Sequence, residues 1–297
     1  MSGTALVTGA TGLAGRALVA RLRADGVRVL ATARSLDAEI AVREMGAEAL
    51  HTDLANLGSW HREAADAEVV YHLALPRLDP PLRRGAAKRR AKGAGEGARA
   101  LRDLAGDRPV VMLSSAFVYG PRRDPAADDD PAAGDIALAA APRAAEEALA
   151  GPGLRVVRVP WLHGDAGLLR DLVTALRVRR FRFVGPADNP WAMISPADAA
   201  AALVAAAGAP PGVYSAAEEA IPTQREVVEA ICAVPGHKLP DRAPAGMAAL
   251  ALGGAMAEAL GAPLAVRTGR LADHGFTPRD DWRDDALRLA EAPLPRP

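Results

Sequence analysis

Cysteine, lysine and net charge are the scarce features of this 297-residue sequence. Its single cysteine, Cys232, excludes an internal disulfide framework and indicates a reducing, cytoplasmic compartment. The 36 basic and 36 acidic residues balance, so no overall field attracts nucleic acid or an anionic membrane. Lysine occurs only at Lys88, Lys92 and Lys238, and arginine supplies the other basic side chains.

A long, strongly apolar run is also missing. Residues 245–266 come nearest, but they are mostly Ala and Gly and contain Glu258. Because a charge at mid-span costs roughly 2.5–3.5 kcal/mol on insertion scales, we expect a buried helix here rather than a membrane span. Residues 1–12 lack the basic and apolar regions of a signal peptide, so none is expected. Asp128 to Asp130 lie between prolines without a nearby histidine, which predicts a solvated loop and no metal site.

A glycine-rich turn follows the first apolar strand. The stretch "TALVTGATGLAGRALVARLRADG" predicts a strand over residues 5–7, a helix over about 13–24 and a left-handed C-cap at Gly26. Between strand and helix the spacing is G-x-x-G-x-x-G, formed by Gly9, Gly12 and Gly15. Glycines there permit positive φ and close backbone approach, and the free helix amides face a pyrophosphate. The pattern predicts a dinucleotide site, with a purely structural tight turn as the alternative.

The end of the second strand bears on the choice of cofactor. Residues 27–34 form that strand and end in Thr32-Ala33-Arg34, without the carboxylate that favours NAD. Arg34 can pair with a 2′-phosphate, and Arg16 can reach the same group. We therefore predict NADPH over NADH, the alternative being that Arg34 is an ordinary solvated side chain.

The stretch "TGATGLAGR" resembles the loop of the extended and atypical short-chain dehydrogenase/reductases, and the resemblance continues over residues 3–290. It implies an α/β fold, a doubly wound parallel sheet (an NAD(P)-binding Rossmann fold) with a smaller, mainly C-terminal substrate domain. The expected division assigns residues 1–165 and 191–217 to nucleotide binding and residues 166–190 and 218–297 to the substrate. Residues 76–97, rich in Pro, Gly and Arg, are expected to be a mobile lid or a solvated basic loop.

The resemblance also implies which residues contact the cofactor. In the glycine loop and at the end of the second strand these are Thr8, Gly9, Thr11, Gly12, Leu13, Gly15, Arg16 and Arg34. Further along the chain they are Asp53 and Leu54 beside the adenine, then Leu73, Ala74, Leu75, Ser114, Arg143, Pro160, Trp161 and Leu162 towards the nicotinamide. His72 is expected to be packed in its strand.

The catalytic residues of this family are only partly present. "SSAFVYG" resembles the family's fifth-strand ending and implies that Ser115 hydrogen-bonds the substrate carbonyl, while His163 is either an acid near the reacting carbon or a strand cap. The family's Tyr-x-x-x-Lys is absent: four residues after Tyr71, Tyr119 and Tyr214 stand Leu75, Arg123 and Glu218. The family's lysine precedes a Glu by four residues, so an alignment on Glu147 puts Ala139 and Arg143 at the two positions. The family's water-ordering Asn is missing too, because the sequence has only Asn56 and Asn189.

These residues leave two functions open. One is an NADPH-dependent ketoreductase that reduces a polycyclic aromatic ketone beside a phenol. The phenol of the substrate would take over the role of the missing acid–base pair, while the protein supplies proximity and orientation. In this reading the sequence is similar to the atypical ketoreductases of angucyclinone and other aromatic-polyketide antibiotic pathways. The other is a catalytically inactive NADP(H)-binding sensor or scaffold. Sugar epimerisation and dehydration rank lower, because both depend on the missing base.

Overall fold

A parallel sheet forms the centre of the computed structural model, which describes residues 3–52, 60–76, 83–243 and 253–292. Seven strands form it, and every neighbouring pair is parallel; their order across the sheet is Gly212–Ser215, Leu154–Val159, Val110–Ser115, Val69–His72, Thr4–Thr8, Arg28–Ala33 and Glu48–His51. Their bounds are β1 (Thr4–Thr8), β2 (Arg28–Ala33), β3 (Glu48–His51), β4 (Val69–His72), β5 (Val110–Ser115), β7 (Leu154–Val159) and β11 (Gly212–Ser215). Shorter strands pair outside the sheet: β6 (Arg122–Ala126), β8 (Trp161–Leu162), β9 (Phe183–Val184), β10 (Met193–Ile194), β12 (Arg242–Ala243) and β13 (Leu264–Val266).

Helices connect the strands and cover both faces of the sheet. In chain order they are α1 (Leu13–Ala24), α2 (Leu36–Glu44), α3 (Trp60–Glu63), α4 (Arg84–Ala105), α5 (Ala140–Leu149), α6 (Leu168–Arg177), α7 (Pro196–Gly208), α8 (Gln224–Cys232), α9 (Gly254–Gly261) and α10 (Trp282–Glu291). Short 3₁₀ turns lie at Ala116–Tyr119, Ala137–Ala139 and Arg270–His274. The predicted doubly wound α/β fold is therefore confirmed.

Alternating side chains of each central strand enter different cores. Ala5 and Val7 pack into a buried cluster with α1 and α7, whereas Leu6 packs on the opposite face with α4 and α5. A third cluster lies beyond the sheet and draws residues from 116–139, 161–193 and 217–290. Its composition agrees with a second unit of packing, while the domain boundaries given above stay predictions.

Some expectations are corrected by the structure. Residues 84–97 form the first part of α4 rather than a mobile flap, and residues 77–82 lie outside the described residues. Asp128 is buried, not solvated, because its carboxylate accepts backbone N–H groups of Ser215 (2.6 Å) and Arg270 (2.8 Å).

Within residues 245–266, α9 is a short, largely buried helix. None of the helices in the described ranges is both long and apolar enough to cross a membrane.

The glycine turn gives a stability test with an internal control. Gly9 and Gly26 both have positive φ (74° and 76°), but a Cβ at Gly9 would lie 2.6 Å from the carbonyl carbon of Leu73, while one at Gly26 would meet nothing within 4 Å. We expect Gly9→Ala to lower the free energy of unfolding by about 3 kcal/mol and Gly26→Ala by only about 1 kcal/mol. Urea unfolding measures both, and equal losses would contradict the close approach.

Candidate functional site

The glycine turn lies at the carboxyl end of β1 and leads directly into α1. Gly12 is the N-cap of the helix; its N–H donates to the Gly9 carbonyl (3.0 Å), and the Arg16 N–H donates to the Gly12 carbonyl (2.9 Å). Among the described residues, no side chain caps α1, and its first turn holds no acidic residue. The first amides of α1 are thus oriented for an anion, which fits the pyrophosphate of a dinucleotide.

The end of β4 lies against this turn. The Leu73 N–H donates to the Thr8 carbonyl (3.0 Å). Ala74 lies so close to Gly9 that a Cβ on Gly9 would be 2.7 Å from the Ala74 backbone nitrogen. Thr8 Oγ1 lies 2.8 Å from Nδ1 of His72, and burial lowers the pKa of His72 to about 4. His72 is therefore a neutral packed side chain. The contacts of residues 73–75 with the cofactor stay a prediction.

The two arginines predicted to contact the 2′-phosphate are both exposed. Arg16 donates from Nε to the Thr11 carbonyl (3.1 Å) on the exposed surface. Arg34 is exposed at the end of β2, immediately before Ser35, which caps α2 by accepting the Ala38 N–H (3.3 Å). Asp53 and Leu54, predicted beside the adenine, lie outside the described residues.

Ser115 ends β5 at the same edge of the sheet. It is partly exposed, and its Oγ accepts the Phe117 N–H at 3.3 Å. Because a hydroxyl that accepts one hydrogen bond still carries a donor, Ser115 can orient a substrate oxygen. This geometry is compatible with the predicted role of Ser115.

A buried ion pair lies directly behind Ser115. Ser114 donates its hydroxyl to Glu146 of α5, and Arg158 of β7 binds both oxygens of the same carboxylate at 3.1 and 2.7 Å. The guanidinium of Arg158 stacks over the Tyr119 ring at 4.6 Å, and the Tyr119 hydroxyl pairs with the Ser215 hydroxyl (2.9 Å). The network joins β5, β7, β11 and α5, and it engages the one tyrosine that is near Ser115 in sequence.

The orientation of α5 changes the sequence alignment. The side chain of Glu146 is 11% exposed and faces the sheet, whereas that of Glu147 is 72% exposed. If the inward Glu146 is the alignment anchor, the family's tyrosine and lysine positions fall on Leu138 and Pro142, both buried, instead of Ala139 and Arg143. In either register no phenol or amine is present.

Arg143 has structural partners of its own. Its guanidinium donates to the Gly134 carbonyl (3.0 Å) and lies 4.0 Å from Glu147. Its contact with the cofactor remains a prediction.

Residues 160–162 bring an aromatic side chain to this edge of the sheet. Trp161 is 7% exposed; its ring meets Phe117 edge-on at 4.8 Å and lies 6.3 Å from Trp191. Since Phe117 follows Ser115 by two residues, this buried aromatic cluster begins next to the end of β5. The indole N–H of Trp161 is buried and has no hydrogen-bond partner within the described ranges.

His163 is not placed as a free acid, which corrects one expectation. Its Nδ1 lies 2.6 Å from Asp285 at the start of α10, its Nε2 bonds Glu218 after β11, and its side chain is 1% exposed. Burial alone would lower the pKa of His163, but the hydrogen bonds and charges of Glu218 and Asp285 outweigh it and raise the pKa. The two carboxylates thus favour the protonated form of His163, which links the sheet edge to α10.

Glu146, Glu218 and Asp285 are site neighbours that the sequence reasoning did not find. Their partners lie 12, 55 and 122 residues away along the chain, so no local spacing signals them. In the part of the chain that is described, no group of three His, Cys, Asp or Glu side chains could hold a metal ion.

The fold and the open glycine turn define an NAD(P)-binding α/β chain, with the turn and Ser115 at the carboxyl ends of β1 and β5. Residues 5–146 match the NAD dependent epimerase/dehydratase family. This match agrees with the resemblance that the glycine loop carries.

Solved structures with similar folds cover nearly the whole chain. A human epimerase family protein, SDR39U1, solved with NADPH, is 20% identical, covers 97% of this chain and 99% of its own, and gives a TM-score of 0.77. UDP-glucose 4-epimerase from Thermotoga maritima is 16% identical over 97% of both chains, also with a TM-score of 0.77. At these identities the likeness establishes the fold alone.

One curated relative is nearer in sequence. A 3-diazoavenalumate denitrifying reductase from a Streptomyces species is 38% identical over 189 residues. The matched segment spans 58% of this chain and 61% of that protein.

The His163 link predicts a pH-dependent contribution to stability. A pKa raised above the ordinary 6.5 means that the contribution is present below about pH 6.5 and is lost as pH rises through the folded-state pKa. We expect His163→Gln to cost about 3 kcal/mol near pH 6 and clearly less near pH 9, measured by urea unfolding. The control, His51→Gln, changes a histidine whose side chain is 70% exposed and should have little effect. An equal cost of His163→Gln at both pH values would contradict a protonated link.

Proposed function

We propose that this chain is an NADPH-dependent reductase of a small molecule. Groups of that molecule, rather than of the protein, would stabilise or cancel the charge that changes when it accepts the hydride. Two observations together carry the proposal: the nucleotide turn is open, and the segment of α5 and the 3₁₀ turn before it has no phenol or amine where the family's acid and lysine stand. The residues at those positions are Leu138, Ala139, Pro142 and Arg143. When bound, NADPH supplies a hydride. The exposed Arg34 and Arg16, in a segment without the usual strand-end carboxylate, support NADPH over NADH.

The residues at the predicted reaction site can bind and orient an acceptor but offer little proton transfer. Ser115 can hold an oxygen of the acceptor, and the buried pair of Phe117 and Trp161 supports the chain beside it. Orientation of this kind is worth up to ~7–11 kcal/mol in intramolecular reactions. An epimerase or dehydratase would need a base that α5 does not provide, which argues against those activities.

A phenol-flanked ketone is one acceptor class that fits. A ketone that accepts a hydride becomes an alkoxide, and a neighbouring phenol can share the negative charge before water protonates it. Ser115 would donate to the ketone oxygen or to the phenol. Polycyclic aromatic ketones of the polyketide type, including angucyclinones of antibiotic pathways, contain this arrangement.

An aromatic diazo compound that carries its N₂ as a diazonium group is a second acceptor class, favoured by the relative that is named as a denitrifying reductase. A carbon bearing a diazonium group that accepts a hydride forms a C–H bond and releases N₂, and the positive charge is cancelled in the same step. This reaction needs no proton at all. It therefore suits a site without a phenol or a lysine.

Hydride transfer from deuterated NADPH tests the proposal. The protein, saturated with NADPH carrying deuterium at the transferable position, is mixed with phenol-flanked polycyclic ketones, aromatic diazo compounds, simple ketones and UDP-sugars. We expect loss of NADPH absorbance and deuterium in the product with one of the first two classes only. Ser115→Ala should slow a ketone reduction by about 10²-fold through the lost hydrogen bond and a diazo reduction much less.

The opposite results are equally informative. Tight NADPH binding without hydride transfer to any acceptor would reject the reductase and leave the cofactor-binding sensor or scaffold. UDP-sugars are also mixed with the protein loaded with NADP⁺, because their epimerisation or dehydration begins with hydride transfer to the oxidised cofactor. Turnover there would reject the claim that α5 has lost the base.

A further inference from the structure

The first half of α4 carries a dense group of positive charges. Residues 83–92 contain six basic residues and no acidic one, in a chain whose net charge is zero. Two of the three lysines of the whole sequence are among them. They are Arg83, Arg84, Lys88, Arg89, Arg90 and Lys92.

Three of these residues, Arg84, Lys88 and Lys92, follow one another at four-residue spacing and so share one side of the helix. We call them the basic stripe. The side chains of Arg84 and Lys92 are 71% and 80% exposed, and Lys88 is exposed as well. Their ionic contacts are an Arg84–Glu258 pair at 3.0 Å and a loose Lys92–Glu96 pair at 3.8 Å.

The basic stripe opposes the stability of its own helix. Like charges four residues apart repel each other, and positive charge near a helix N-terminus opposes the helix dipole. The first turn of α4 has no acidic residue, and its N-cap Arg83 forms no side-chain capping hydrogen bond. Helix formation therefore does not account for the charges, which points to a role in binding.

The start of the basic stripe is linked through Glu258 to the turn that precedes α5. Glu258 of α9 pairs with Arg84 through one oxygen and accepts the Ala137 N–H (3.2 Å) through the other. Ala137 opens the turn that holds Leu138 and Ala139, the positions where the family's tyrosine would stand. Thus α4, α9 and the turn before α5 meet beside the predicted reaction site.

We propose that the basic stripe selects acceptors that carry a carboxylate. The stripe would attract the anionic end of the molecule to α4 while its reducible end lies towards Ser115. This inference rests on the proposed reductase and adds the chemical class of its substrate. Because the cations are solvated, the attraction should amount to a few-fold in affinity and should be screened by salt.

Binding of a matched probe pair tests the stripe without requiring turnover. The probes are para-hydroxycinnamate and para-hydroxycinnamamide, which share a phenol and differ by one charge. Isothermal titration of each into the NADP⁺-loaded protein gives two values of Kd. We expect the carboxylate to bind about 3- to 10-fold more tightly than the amide at about 20 mM salt, with the difference lost at about 0.5 M.

Variants of α4 assign the effect to the stripe. Lys88→Glu should remove the preference for the carboxylate, whereas Arg99→Glu should retain it, because Arg99 is exposed on the same helix about 16 Å further along. Equal Kd values for the two probes in the unaltered protein, no binding of the carboxylate, or equal losses in both variants would overturn the inference. These titrations measure binding and not hydride transfer. They therefore test the role of the basic stripe separately from the proposed reductase activity.

Discussion

The buried ion pair between Arg158 and Glu146 is the interaction on which the arrangement of the predicted reaction site depends. It joins β7 to α5, receives Ser114 of β5 on the same carboxylate, and stacks its guanidinium on Tyr119. Removing one partner of such a pair leaves a buried charge without compensation, which typically costs 3–5 kcal/mol. The pair therefore holds α5 in one rotation about its axis and fixes which side chains the helix presents to the reaction site.

That rotation has a chemical consequence. With Glu146 turned inward, the residues one and two turns earlier are Pro142 and Leu138, both buried and without a titratable group. The remaining polar groups nearby are committed to structure: Tyr119 pairs with Ser215, and His163 spans Glu218 and Asp285. Of the groups that the sequence had suggested, Ser115 keeps a hydroxyl that can still donate. A site built in this way favours acceptors whose reduction needs little protonation by the protein.

Local signals predicted the nucleotide half of the molecule well. The glycine spacing, the bounds of α1 and the left-handed Gly26 are all set by neighbours in sequence, and the structure has each of them. The burial of Asp128 and the two partners of His163 could not be predicted, because they depend on residues more than 50 positions away. The helical state of residues 84–97 was also missed, since their glycines suggested a loop while packing against α5 stabilises the helix. Whether Glu146 or Glu147 matches the family's glutamate depends on which of the two faces the sheet. That is set by the rotation of α5 about its axis, which the sequence of two adjacent glutamates does not reveal.

The dependence of single-turnover hydride transfer on the acceptor's own phenol is the most direct test of the account. The protein, saturated with NADPH, would be mixed rapidly with a phenol-flanked ketone that it reduces and, separately, with the O-methyl ether of that ketone. If the acceptor relieves its own charge, the ether should react at least about 10²-fold more slowly at similar affinity. Equal rates for the phenol and the ether would contradict the account and would mean that a group of the protein supplies the proton.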